Sequence, residues 1–226
     1  MSRPESSLSA IQPNRRTFLG AGAAMLTAGF FALPTAPAAL AADAPGANIL
    51  GPMPGYSPQV GTFVSQLIWM REQNGVLRAT GNLTQSDLDF LFDKNANTIG
   101  ALMLHLAATE KYYGMNTFGG MKWGSWPDDI KKQWDAAMNL GDAGRATIKG
   151  HDRQYYVDIL HEQRESTLAE FKKRDDKWLL DKIDDADWGP CNNLAKWFHV
   201  CEHEAHHTGQ IALIRKRIPG AKPESD

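Results

Sequence analysis

The sequence predicts an all-α fold, a four-helix bundle with a short additional helix and an aromatic-rich connection. Three observations carry that reading. Four stretches repeat apolar residues at three- and four-residue spacing, the period of a helix with one buried face. Gly- and Pro-containing segments separate them. No twenty-to-fifty-residue repeat points to a solenoid.

The chain has 226 residues and a formal charge of −2. Its first segment has the pattern of an export signal, assigned to residues 1–42. Asn14-Arg-Arg-Thr-Phe-Leu19 looks like a twin-arginine signal, which predicts passage through the twin-arginine export machinery to the periplasm. A small-residue run, Gly20–Leu33, follows, and Ala39-Leu40-Ala41 supplies a cleavage pattern. The run is short for a membrane span, and no later stretch is long and apolar enough for stable membrane insertion. Cleavage after Ala42 removes three arginines and one glutamate and moves the charge from −2 to −4. That balance gives no electrostatic footprint for nucleic acid. Cys191 and Cys201 do not make a disulfide framework, and along one helix they would stand about 15 Å apart, too far to bridge. Two separate thiols are expected.

Residues 43–58, rich in Gly, Pro and Ala, read as an irregular arm. The bundle is assigned to residues 59–219 and a polar tail to residues 220–226. Gln59–Leu77 fits a first long helix with Val60, Phe63, Val64, Leu67 and Ile68 on its apolar side. Thr84 to Asp87 has the signature of a capping box, opening a short segment that ends near Phe92. Asn97–Tyr113 is the second long helix. Gly114–Pro127 connects onward, and Met115, Phe118, Trp123 and Trp126 make it too aromatic for a solvated spacer. Asp128–Leu140 is the short additional helix. Asp152–Arg174 is the third long helix, Asp184–Pro190 a connection, and Asn193–Pro219 the fourth, with Asn192 or Asn193 as its cap.

That fourth helix holds His199, His203, His206 and His207, four of the chain's seven histidines. His199, His203 and His207 recur every four residues and so share one face. Two imidazoles one turn apart can meet one ion, so His203 and His207 are candidate metal ligands. His105 is the candidate third, because it interrupts an apolar face expected to turn inward. Three imidazoles leave positions open for water or a small-molecule substrate, and they suit zinc, nickel or ferrous iron as one divalent metal ion. His199 is a candidate fourth ligand, proton acceptor or pocket donor, and Gln210 a candidate orienting group. His206 stands about 60° off His203 and reads as a surface residue. Trp69, Tyr113, Trp123 and Tyr156 are candidates for a pocket mouth, although rings at helical spacing also pack cores.

His203-Glu-Ala-His-His207 is also H-E-x-x-H, which raises Glu204 as the general base of a metallopeptidase. A binding protein without catalysis and an interaction module remain alternatives to an enzyme. A homodimer is an open expectation.

Leu104-His-Leu-Ala-Ala-Thr-Glu110 taken with His203-Glu-Ala-His-His-Thr-Gly-Gln-Ile211 resembles the DinB/YfiT-like superfamily, over nearly all of Pro58–Pro219. The resemblance implies a four-helix bundle with a three-histidine divalent metal site and the ligands His105, His203 and His207. It also implies a place among thiol-dependent transferases and isomerases, with relatives that join thiols or selenium compounds to histidine derivatives through iron. The twin-arginine pattern departs from a typical cytoplasmic member. The expectation is an exported divalent-metal-dependent enzyme with hydrolytic or thiol-linked transfer chemistry.

Overall fold

The computed structural model describes residues 48–222. The proposed export signal and the far end of the tail lie outside the described residues. Residues 48–57 form no helix or strand, and Gly51 N–H ties them to the Ser65 hydroxyl at 3.1 Å.

Helix α1, Pro58–Trp69, starts with a proline where no backbone donor is needed. Its remaining free N–H groups are capped from a distance. Asp176 accepts from Ser57 Oγ at 2.6 Å and from the backbone of Gln59 and Val60 at 2.8 and 3.1 Å. A π-helical turn, Met70–Asn74, follows, and then a short α2, Val76–Ala79. The first helix, expected over Gln59–Leu77 with Gly75 or Gly81 as its fraying end, therefore departs from the α form earlier, at Met70. Gly75 is the reason at the break: a Cβ there would lie 2.1 Å from the Met70 carbonyl oxygen.

The capping box at Thr84 and Asp87 forms as expected, but α3 it opens is only Gln85–Leu88. Helix α4, Ile99–Thr117, begins at Thr98, whose hydroxyl accepts from Ala101 N–H. It is buried on most sides and is the central helix, in contact with the later long helices and with α5, Asp128–Asn139. A further short α6, Gly141–Thr147, precedes α7, Arg153–Phe171, which Asp152 caps. Helix α8 is Asp176–Leu180. The stretch read as a plain connection carries two short antiparallel strands, β1 Ile183–Asp185 and β2 Gly189–Cys191. Asn192, as expected, caps α9, Asn193–Arg215, by accepting from Ala195 N–H at 2.8 Å.

The four long segments pack as a predominantly helical bundle with shorter connecting helices, and the aromatic connection is part of it. Trp126 is buried and stacks on Tyr112, and Trp123 meets Tyr113 edge-on. No helix among the described residues is long and apolar enough to cross a membrane. Both cysteines are free thiols. Burial pushes the Cys201 thiol up to about 11.

Two apolar clusters fill the core. One gathers Val76, Leu102, Leu106, Leu160 and Ile211, and the other Val64, Leu67, Phe171, Trp197 and Val200. Between them along the chain sit four charges. Arg71, Glu110, Arg164 and Glu204 each follow a core residue (Leu67, Leu106, Leu160, Val200) by four positions, so they occupy the same inward face one turn on. Arg71 binds Glu204 through Nε and Nη2 at 3.2 and 2.9 Å and reaches Glu110 at 3.0 Å. Arg164 binds Glu110 at 2.8 and 3.1 Å and Glu204 at 3.4 Å. Each arginine also donates Nη1 to a carbonyl on the other's helix: Arg71 to Leu160, and Arg164 to Leu67. The quartet is neutral as a whole and joins all four long segments.

Candidate metal centre

Helices α4 and α9 bring His105, His203 and His207 together. Their candidate ligand atoms all lie within 4.8 Å of one another, and among the described residues no other group of three or more His, Cys, Asp or Glu side chains meets that description. The Nε2 atom of His203 is 3.1 Å from that of His207 and 3.4 Å from that of His105. Three nitrogens held 2.0–2.1 Å from one tetrahedral ion stand roughly 3.3 Å apart, so the spacing fits a single divalent ion.

The far side of each ring sets which nitrogen is free. His105 Nδ1–H donates to the Ala137 carbonyl at 2.9 Å, and His207 Nδ1–H donates to Gln210 Oε1 at 2.8 Å. Both rings therefore turn an Nε2 lone pair toward His203. His203 has one Nε2 for two such neighbours, and its buried Nδ1 has no partner. An ion held among the three Nε2 atoms would resolve that crowding of lone pairs. Burial also keeps the rings uncharged, as ligation requires. It pushes His105 down to about 4 and His203 to about 3, with the neighbouring imidazoles adding to the effect, and it lowers His207 as well.

His203 opens onto a cleft of about 390 Å³ that Thr109, Tyr113, Trp123, Asp187, Trp188 and His199 help to line. A larger groove of about 720 Å³ lies near Asp175, Asp181 and Lys196, but none of its lining residues is a histidine. The donor set places the candidate metal site at the smaller cleft.

The other sequence candidates separate. His199 lines the cleft, with its ring centroid 5.4 Å from that of His203, and Nδ1–H donates to Glu202 at 2.6 Å. It stands beside the three-ring cluster rather than in it. Gln210 is exposed and reaches the site only through His207. Glu204 is not brought to the imidazoles. It is 1% exposed and its carboxylate is committed to Arg71 and Arg164, so it is not available as the base that the H-E-x-x-H reading requires. The residue that follows His203 is turned about 100° from it, and on α9 that side faces the core. Tyr113 and Trp123 belong to the cleft. Trp69 instead donates to Asn48, and Tyr156 is buried against Gly100. His206 is exposed, His161 lies beside Glu72, and His151 stacks on Tyr155.

Trp188, Asp187 and Glu202 were not anticipated. Trp188 sits in a Gly-flanked polar stretch with no periodicity to mark it. Glu202 had a signal, since it lies three residues after His199 on the same helix and so within its reach.

Comparison with known proteins agrees with this architecture. No curated protein matches the chain. A conserved protein from Enterococcus faecalis, known from a crystal structure, superposes with a TM-score of 0.52 at 17% identity, over 70% of this chain and 95% of that one. At that identity the likeness is one of fold. The family model described as mycothiol-S-transferase matches residues 68–220, a span that includes all three clustered histidines and the charge quartet. With more than half its length matched, and with a bundle and histidine cluster of the kind the DinB/YfiT-like resemblance implies, this chain belongs to the mycothiol-S-transferase family.

Proposed function

We propose that the protein is a divalent-metal-dependent S-transferase that moves the sulfur of a low-molecular-weight thiol onto a small electrophile. The observation that carries this reading is the convergence of three uncharged imidazoles beside an open cleft, in a chain of this family. His105, His203 and His207 would hold the ion through Nε2, with the Ala137 carbonyl and Gln210 fixing two of the rings. A bound ion supplies Lewis acidity, which lowers the pKa of a thiol or of water.

The remaining roles fall to the chain itself. His199 takes the thiol proton on its second ring nitrogen, since Nδ1–H is engaged by Glu202, and that carboxylate stabilises the imidazolium. The thiolate then attacks the electrophilic carbon of the acceptor, a new C–S bond forms, and the leaving group departs with its electron pair. Tyr113 and Trp123 keep bulk water from one side of the cleft. A hydrolytic use of the same site is the second reading, favoured by the cleft's access to solvent.

The test uses the full chain loaded with zinc, nickel or ferrous iron, a small thiol and monochlorobimane. Thiol consumption with a sulfur-bearing product supports transfer. Products lacking the sulfur support hydrolysis. Alanine at His105, His203 or His207 should abolish both metal occupancy and turnover, and normal occupancy in all three variants rejects the centre. His199→Ala should keep the metal and lose most turnover.

We also propose that the protein is exported to the periplasm, on the twin-arginine pattern alone. Protein recovered from the periplasm should begin near Ala42. Recovery only from the cytoplasm, with Arg15 and Arg16 retained, rejects export.

A further inference from the structure

One wall of the cleft comes from the β1–β2 hairpin, an element that the chemistry above does not use. Its turn carries Asp187 and Trp188, and Gly189 follows in the left-handed region at φ 68°, where a side chain would be strained. The turn is pinned at its base. Asp185 Oδ1 accepts from the backbone N–H of Asp187 and Trp188 at 2.9 and 3.0 Å. Its Oδ2 accepts from Lys196 Nζ at 2.5 Å. Lys196 is buried in α9 and donates also to Asn116 of α4 at 2.8 Å. The hairpin is thus fixed to the two helices that supply the imidazoles.

Trp188 is held where it is not buried. It remains 37% exposed, with its ring edge-on to Tyr113 at 6.3 Å and edge-on to His199 at 5.9 Å. Trp123 meets Tyr113 edge-on at 4.9 Å. Three aromatic rings therefore border one open space. No lysine or arginine lines it, and its charged side chain is Asp187, with Glu202 close behind on His199. Aromatic walls favour a flat ring by edge and face contacts. A ring that carries an anionic group beside Asp187 would meet like charge, whereas a bound ion at His203 would attract an anion.

We propose that this cleft takes a planar, uncharged aromatic group of the acceptor, with Trp188 as the specificity-determining wall and Asp185 and Lys196 as the residues that position it. The term acceptor rests on the thiol-transfer reading, whereas binding of the ring does not.

The test is calorimetric titration of the full-length protein, with naphthylmethanol and cyclohexylmethanol on the zinc-loaded form and naphthylmethanol against naphthoate on the zinc-free form, where no ion draws the carboxylate. Naphthylmethanol should bind more tightly than both. Trp188→Ala should weaken it about tenfold, the effect of one aromatic contact, and Trp188→Phe should restore most of that. Asp185→Ala should reproduce the loss while zinc content and cyclohexylmethanol affinity hold, whereas general damage to the fold would move all three. Equal affinity for the flat and saturated alcohols, tighter binding of naphthoate, or indifference to Trp188→Ala overturns the proposal. Ring binding without any sulfur transfer overturns the transferase reading and leaves the cleft standing. Transfer with equal efficiency to aliphatic and aryl electrophiles does the reverse.

Discussion

Helices α4 and α9 each contribute to two buried polar clusters, and the two are built on opposite principles. The Arg71–Glu110–Arg164–Glu204 quartet is closed. Each charge faces an opposite charge, the spare arginine donors reach carbonyls, and the sum is neutral. The histidine cluster is open. Two rings have their outer nitrogens engaged, the third has none engaged, and three lone-pair positions converge beside a cleft. Satisfied polar groups rigidify a core, and unsatisfied ones mark a place where something else binds. His203 and Glu204 are adjacent in sequence, and they fall on either side of that divide because one residue of helix is about 100° of rotation.

The largest expected effect comes from opening the closed cluster. Glu204→Ala leaves Arg71 and Arg164 sharing the single carboxylate of Glu110. Removing one partner of a buried ion pair costs about 3–5 kcal/mol. The measurement is urea unfolding of the zinc-free protein. A loss below about 1 kcal/mol, combined with abolished turnover, would return Glu204 to the role of base and erase the contrast.

A smaller effect is expected at the rim of the open cluster. Gln210 is exposed, so its replacement should leave the zinc-free fold within about 0.5 kcal/mol. Gln210→Leu nevertheless removes the acceptor that fixes the His207 tautomer. Loss of such an outer partner weakens metal binding about 10- to 100-fold. Competition with a chromophoric chelator measures it, and unchanged affinity would mean that His207 does not depend on Gln210 for its orientation.

The two clusters were unequally legible. Histidines at four-residue spacing stand out because the residue type is rare and the chemistry specific, so His105, His203 and His207 could be singled out from letters. The quartet hid in plain view. Arg71 and Arg164 each lie four residues past a core leucine, yet charges on a helix usually read as its solvated face, and their partners are 133 and 54 residues away. In the first helix Gly75 signals the fraying end, but the π-helical turn before it carries no signal, because what holds Arg71 inward is tertiary. The hairpin was missed for a different reason. Two strands of three residues carry too few positions for alternation to register, and what holds them is the Lys196–Asp185 pair rather than strand propensity.

Acid provides the gentlest way to separate the clusters. Burial alone would raise the Glu110 carboxyl, but Arg164 and Arg71 outweigh it and hold the group below its ordinary value of 4.5. In the unfolded chain Glu110 takes up its proton near that value, while in the folded chain it does so only at lower pH. Between the two, the unfolded state binds more protons, so the stability this group contributes is intact above 4.5 and is lost as pH falls through the folded value. One such group contributes a slope of at most about 1.4 kcal/mol per pH unit. Urea midpoints of the zinc-free protein at falling pH should show this slope, and Glu110→Gln should lower stability overall while removing that part of the pH dependence. An identical slope in the variant would mean that the arginines do not hold Glu110 ionised, and the quartet would then be a hydrogen-bonded cluster rather than an ionic one.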